Sequence, residues 1–261
     1  FFLTTAHSDA DIEALVKAIK ETVVEMTEAG LLQVLREAGF NRISMGVQDF
    51  DPDIQQAVNR IQSWEMTKSV TDSARQLGFG SLNIDLMYAL PQQSIEQAMA
   101  DLDAAFTLEP EHISWYQLTL EPNTVFYARP PEGLPDDDAR WDIQSEGQGR
   151  LRDRGYLQYE VSAYARPGRQ CRHNLNYWAF GDYLAAGAGA HGKLTVAGEP
   201  YRYSRPANPE AYMQDVERHA DLERKLVPES DRLFEFALMG MRLVDGISGQ
   251  AFLLVSRSPA E

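Results

Sequence analysis

Residues 43–48 read Ile-Ser-Met-Gly-Val-Gln and residues 82–88 read Leu-Asn-Ile-Asp-Leu-Met-Tyr. Each is a short apolar run with β-branched residues and a polar end, the pattern of a buried strand. The first ends at Gln48; the second is read as a strand over 82–84 ending at Asp85, with Leu86-Met87-Tyr88 continuing it. Between them, residues 65–77 carry helical spacing and stop at Gly78. Strands separated by single helices predict parallel pairing through crossovers.

The pattern continues outward. Ser94 and Gln97 form a predicted capping box for a helix whose apolar face is Ile95, Met99, Leu102 and Phe106, and residues 112–120 read as the next strand. Upstream, residues 9–20 place Ile12, Leu15, Val16 and Ile19 at helical spacing, and Val23-Val24 leads to Glu25. Thr27 is positioned to cap a helix with Leu31, Val34, Leu35 and Ala38 on its apolar face and Gly39 as its stop. Residues 121–137 are rich in proline and acid and read as a crossing loop. A helix over about 137–154 follows, then strand-like segments over 156–165 and 183–197, then helices over 208–218 and 229–243. A doubly wound sheet and a (β/α) barrel both accommodate this order.

The chain has 261 residues, 44% of them hydrophobic and 24% charged, the composition of an ordinary globular protein with a sizeable core. No apolar run reaches bilayer-spanning length. The N-terminus, Phe1-Phe2-Leu3, lacks a basic leader and an initiator methionine, and reads as a processed or trimmed start without a secretion signal. Thirty-nine acids against 24 bases give a net charge of −15, with no basic cluster to displace counterions from nucleic acid. A single cysteine, Cys171, excludes an internal disulfide and fits a reducing, cytoplasmic setting.

Glu25, Gln48, Asp85 and, less sharply, Thr119 stand at the ends of successive apolar runs. The C-terminal ends of parallel strands converge on one face, where ligands bind. Each residue alone reads as a cap; three in register favour a polar-ligand site. Arg60 follows Gln48 by twelve residues and could grip a carboxylate, although by itself it reads as a surface arginine. Residues 187–192, GAGAHG, formally match a dinucleotide-binding glycine pattern but lie late in the chain, in strand-like sequence, where close backbone packing accounts better for the glycines. Residues 171–178 read CRHNLNYW. A histidine among aromatics suits a planar iron-containing ligand. The plainer alternative is a loop tied down by Tyr177 and Trp178 with His173 hydrogen-bonded. Cys171 reads as a small buried hydrophobe before it reads as a ligand. One cysteine cannot hold a cubane iron–sulfur cluster.

Residues 41–50, Asn59-Arg60 and residues 83–91 together resemble the oxygen-independent coproporphyrinogen III oxidases and their relatives, radical S-adenosylmethionine (SAM) proteins. Residues 114–118, 159–166, 173–178, 187–192 and 234–236 are similar to the heme-chaperone branch of that group, HemW, and the His-Asn-x-x-Tyr-Trp segment is the part that separates it from the true oxidases. The resemblance spans about residues 25–245. It implies an α/β fold: a partial radical SAM (β/α) barrel lacking its first strands, with a C-terminal α+β extension. The expected divisions are a partial barrel over 1–125, the remaining barrel and strand-rich segment over 126–205, and a shortened helical domain over 206–261. It implies SAM contacts at Glu25, Gln48, Arg60, Asp85 and Thr119, and a heme site at His173, Tyr177 and Trp178 with His173 as iron ligand. The implied cofactors are SAM, a [4Fe–4S] cluster and heme. The implied partners are heme and heme-accepting proteins, respiratory ones among them. The implied activity is heme delivery, with decarboxylation of coproporphyrinogen III, or an inactive fragment, as alternatives. Four departures stand out: the family's C-x-x-x-C-x-x-C loop and its G-G-T-P-like strand are missing, the spacing from Glu25 to Gln48 is short, and Ala89 replaces a glycine before Leu90-Pro91.

Overall fold

The computed structural model describes residues 30–57, 62–218 and 223–256. The chain divides into two compact units. One comprises residues 1–158 and 162–170; the other comprises 159–161 and 171–261.

The first unit is built on a mixed sheet. Strand β1 (Arg42–Gln48) pairs in parallel with β2 (Ser81–Tyr88), which pairs in parallel with β3 (His112–Gln117). Parallel neighbours need long crossovers. Helices α1 (Leu31–Glu37), α2 (Pro52–Ala57), α3 (Trp64–Gln76) and α4 (Ile95–Thr107) surround and link these strands. After α5 (Val125–Ala128) and α6 (Asp137–Asp153), the chain returns as β4 (Leu157–Glu160) and β5 (Ala163–Ala165). The strand order is β1-β2-β3-β5-β4, an open sheet among the described residues. Strand β5 runs antiparallel to β3.

Strand alternation sorts the two faces of this sheet. Met45, Val47, Ile84, Leu86, Tyr88, Ile113 and Trp115 share one core with Met99, Leu102 and Phe106 of α4 and Ile143 and Leu151 of α6. Ser94 caps α4 as expected: its hydroxyl accepts from the Gln97 backbone N–H, and the Gln97 side chain accepts from the Ser94 backbone N–H. Helix α6 lies close on Trp115. A Cβ added at Gly147 would fall 2.0 Å from the indole ring, so only glycine fits there. Helix α1 packs through Leu32 and Leu35 against Ala74, Phe79 and Leu82. This corrects the expected apolar face, since Val34 points to solvent.

The second unit holds an antiparallel three-stranded sheet, β6 (His191–Val196), β7 (Glu199–Ser204) and β8 (Lys225–Leu226), with helices α7 (Arg172–Trp178), α8 (Pro209–Glu217), α9 (Glu229–Gly240) and α10 (Gly249–Ser256). The strand expected over 183–197 is shorter. Tyr183 makes only an isolated bridge to Lys193, and the strand starts at His191. The glycines of residues 187–192 serve the backbone. Gly187 and Gly189 have φ of 105° and 72°, and a Cβ at Gly192 would meet the Tyr203 ring at 2.3 Å. No described helix is long and apolar enough to cross a membrane.

Candidate functional site

The face of the first sheet opposite its apolar core is polar. Register aligns Ser44 with Asn83 and His112, and Gly46 with Asp85 and Ser114. Asn83 is the hub. Its Nδ2 donates to Ser44 Oγ at 2.6 Å and to Asp85 Oδ1 at 2.7 Å. Its Oδ1 accepts from Ser114 Oγ at 3.2 Å and lies 2.5 Å from His112 Nδ1. Ser44 Oγ also donates to Asp85 Oδ2 at 3.2 Å. Both oxygens of Asp85 are thereby aimed. At the end of β1, Tyr116 OH donates to Gln48 Oε1 at 2.6 Å. Gln48 adopts φ of 72°, a left-handed conformation that costs a side-chain-bearing residue energy and concentrates at functional sites. Ala89, just past β2, has φ of 59°, which a glycine adopts more cheaply.

Gln48 and Asp85 therefore sit on neighbouring strands of one polar face. Asp85 occupies mid-strand, because β2 continues to Tyr88; this corrects its expected place at a strand end. Thr119 lies two residues beyond the end of β3, exposed, its Oγ1 3.4 Å from the Gln117 carbonyl, and does not join the network. Glu25 and Arg60 lie outside the described residues. Ser44, Asn83, His112, Ser114 and Tyr116 went unnoticed in the sequence, although a strict period of two from Asp85 and Ser114 finds most of them.

Behind Gln48 is a buried acid pair. Asp49 is fully buried and Asp101 nearly so. Asp101 Oδ1 accepts from the Phe50 backbone N–H at 2.8 Å, and Asp49 Oδ1 from that of Asp51 at 2.6 Å. Gln93 Nε2 bridges the two carboxyls, at 3.0 Å from Asp49 and 3.3 Å from Asp101. Burial, then repulsion from Asp49, pushes the Asp101 carboxyl from 3.8 up to about 9. Burial also raises Asp49. Two carboxyls this close share one proton. The sequence signal was an acid at position 101 at helical spacing between the buried Ala98 and Ala105.

In the second unit, residues 172–178 form a helix, not the loop considered above. Tyr159 anchors its start: its hydroxyl accepts from the Cys171 backbone N–H at 3.3 Å and from Asn174 Nδ2 at 3.1 Å. Burial raises the Tyr159 phenol to about 12, so it stays protonated. Cys171 is buried, as expected of a small hydrophobe, with Sγ 3.0 Å from His173 Nδ1. His173 is exposed. Its ring meets Tyr177 edge-on at 6.1 Å, and Tyr177 meets Tyr183 at 4.8 Å. Trp178 packs under the Arg242 guanidinium, 4.3 Å from ring centre to Cζ.

The sequence pattern of the Radical SAM superfamily matches residues 5–105, which include the strands carrying Gln48 and Asp85. The chain is 46% identical over 253 residues to the heme chaperone HemW of Haemophilus influenzae, covering 97% of this chain and 65% of that protein. Residues 5–105 thus carry a radical SAM domain. It is 45% identical over 245 residues to HemW of Escherichia coli, with 94% and 63% of the two chains covered. Its fold matches the coproporphyrinogen III oxidase of Escherichia coli, described as a radical SAM enzyme, with a TM-score of 0.69 and 25% identity over 92% of this chain and 61% of the other. The chain thus spans just under two thirds of the length of these curated relatives. The α/β architecture expected from the sequence is that of the superfamily.

The superfamily implies SAM and a [4Fe–4S] cluster. The donors and acceptors around Asp85 and Gln48 fit a polar, hydroxyl-bearing ligand such as SAM. They do not fit the cluster, whose thiolates one cysteine cannot supply. Among the described residues, no group of three or more His, Cys, Asp or Glu side chains is placed to hold a metal ion.

Proposed function

We propose that this chain is the cofactor-face and heme-site portion of a cytoplasmic heme chaperone, which takes up heme at His173 and passes it to acceptor proteins. Heme is the cargo. Tyr177 and Trp178, on the same helix as His173, serve as flanking aromatic contacts. The observation that carries the reading is the exposed imidazole of His173 on a helix anchored by Tyr159, within the segment that sets the heme-chaperone branch apart. Identity of 45–46% to HemW proteins, against 25% to the oxidase, supports it over a porphyrinogen decarboxylase. On the polar face, Gln48 and Asp85 would hold SAM, with Glu25, Arg60 and Thr119 as further contacts. On this reading these residues would hold and orient SAM.

Titration with hemin tests the proposal. A saturable Soret band that is shifted or lost in His173→Ala supports it. A folded wild-type chain that gives no specific band sinks it. Protoporphyrinogen formation by a longer form carrying the cluster cysteines would favour the oxidase instead.

A further inference from the structure

Beside helix α7 the second unit opens a cleft of about 230 Å³. Tyr177, Trp178, Phe180, Tyr183, Arg202 and Met239 line it. Its walls are set by one buried cation. Lys193, only 2% exposed, donates to the Phe180 carbonyl at 2.8 Å, to Asp182 Oδ1 at 2.9 Å and to Thr195 Oγ1 at 3.3 Å. Its ammonium also lies 4.1 Å from the centre of the Phe180 ring. These bonds use all three ammonium donors, so Lys193 is a fixed part of the scaffold.

Arg202 differs. Nη1 donates to Tyr183 OH at 2.6 Å and Nη2 to Glu235 Oε2 at 2.7 Å. Those bonds fix the guanidinium in place, and the carboxylate of Glu235 occupies the position on it that an incoming carboxylate would take. Small-molecule pockets commonly enclose about 300–1,000 Å³. A cleft of about 230 Å³ takes the edge of a macrocycle, not all of it. The contiguous rings of His173, Tyr177 and Tyr183 connect the exposed imidazole to that cleft.

We propose that the cleft receives the carboxylate-bearing edge of the porphyrin, with Arg202 as the carboxylate partner and Glu235 as an internal competitor for the same guanidinium. This rests on the heme reading above and adds how cargo is selected and released. A dicarboxylate porphyrin displaces Glu235 from Arg202; without ligand, Glu235 restores the ion pair. The cleft therefore selects porphyrins with free propionates.

The test compares hemin with its dimethyl ester on the full chain. Arg202→Gln is expected to weaken hemin by about ten-fold or more, the scale of one hydrogen bond to a charged group, and to leave the ester unchanged. Glu235→Gln is expected to tighten hemin and leave the ester unchanged, a gain that misfolding cannot produce. Met239→Trp, which fills the cleft, should weaken hemin. If hemin and ester bind alike, and neither Arg202→Gln nor Glu235→Gln changes hemin binding while His173→Ala abolishes it, the cleft is wrong and the heme site stands. If the folded wild-type chain binds no hemin, both fall.

Discussion

Asp101 shows what a single residue carries when its surroundings refuse charge. Its carboxyl is raised to about 9, by burial first and then by Asp49. A carboxyl raised on folding contributes stability that is full below its ordinary value near 3.8 and is lost as pH climbs toward 9. Asp101→Asn keeps an acceptor for the Phe50 N–H and offers Asp49 a donor without a proton to lose. It should stabilise the chain at pH 9 by about 1–2 kcal/mol and flatten the decline from pH 5, as read from urea midpoints. A variant that follows the wild-type pH profile would refute the shared proton. Asn83 carries a different burden. Asn83→Ala removes one partner each from Ser44, His112 and Ser114 and leaves Asp85 held by Ser44 alone, at an expected cost of about 1–3 kcal/mol with weakened SAM binding. Equilibrium denaturation and calorimetric titration check both arms. These residues also mark how far the sequence could be read. Gln48 and Asp85 stood out as polar interruptions of apolar runs. The acid pair and the Asn83 hub did not, because each needs two or three strands in register before its partners meet.

At the scale of elements, close packing outweighs propensity. Glycine in a helix costs about 1 kcal/mol relative to alanine, so Gly147→Ala would ordinarily stabilise α6. Here the added methyl would collide with the Trp115 ring at 2.0 Å. The variant should lose about 1–3 kcal/mol in a thermal melt, and pairing it with Trp115→Leu should recover part of the loss. Ser94→Ala removes the cap of α4 and should cost about 1 kcal/mol. Elements of this kind were legible: the capping box, the α3 and α4 helices and the parallel pairing of β1, β2 and β3 all follow from local pattern. The antiparallel return of β5 was not, since it depends on which edge of the sheet is open when α6 ends. Nor was the left-handed turn at Ala89 visible beyond the odd absence of a glycine.

Over the whole molecule, a net charge of −15 works against compaction. Like charges spread over the surface repel, and salt screens them beyond about 10 Å at 0.1 M. The melting temperature should therefore rise between low and physiological ionic strength. A fall would mean that attractive pairs such as Arg75–Glu111 and Arg150–Asp103 outweigh the general repulsion.

Trp115 is buried between Tyr88, at 4.3 Å, and Tyr164, at 6.3 Å, while Trp141 is largely exposed and Trp178 ends the candidate heme helix. Three of the chain's four indoles thus lie in different surroundings and act as built-in optical reporters. Loss of the blue-shifted emission of Trp115 would signal melting of the first unit's core. Quenching of indole emission by an absorbing iron porphyrin, without a red shift, would signal cargo uptake by the folded chain.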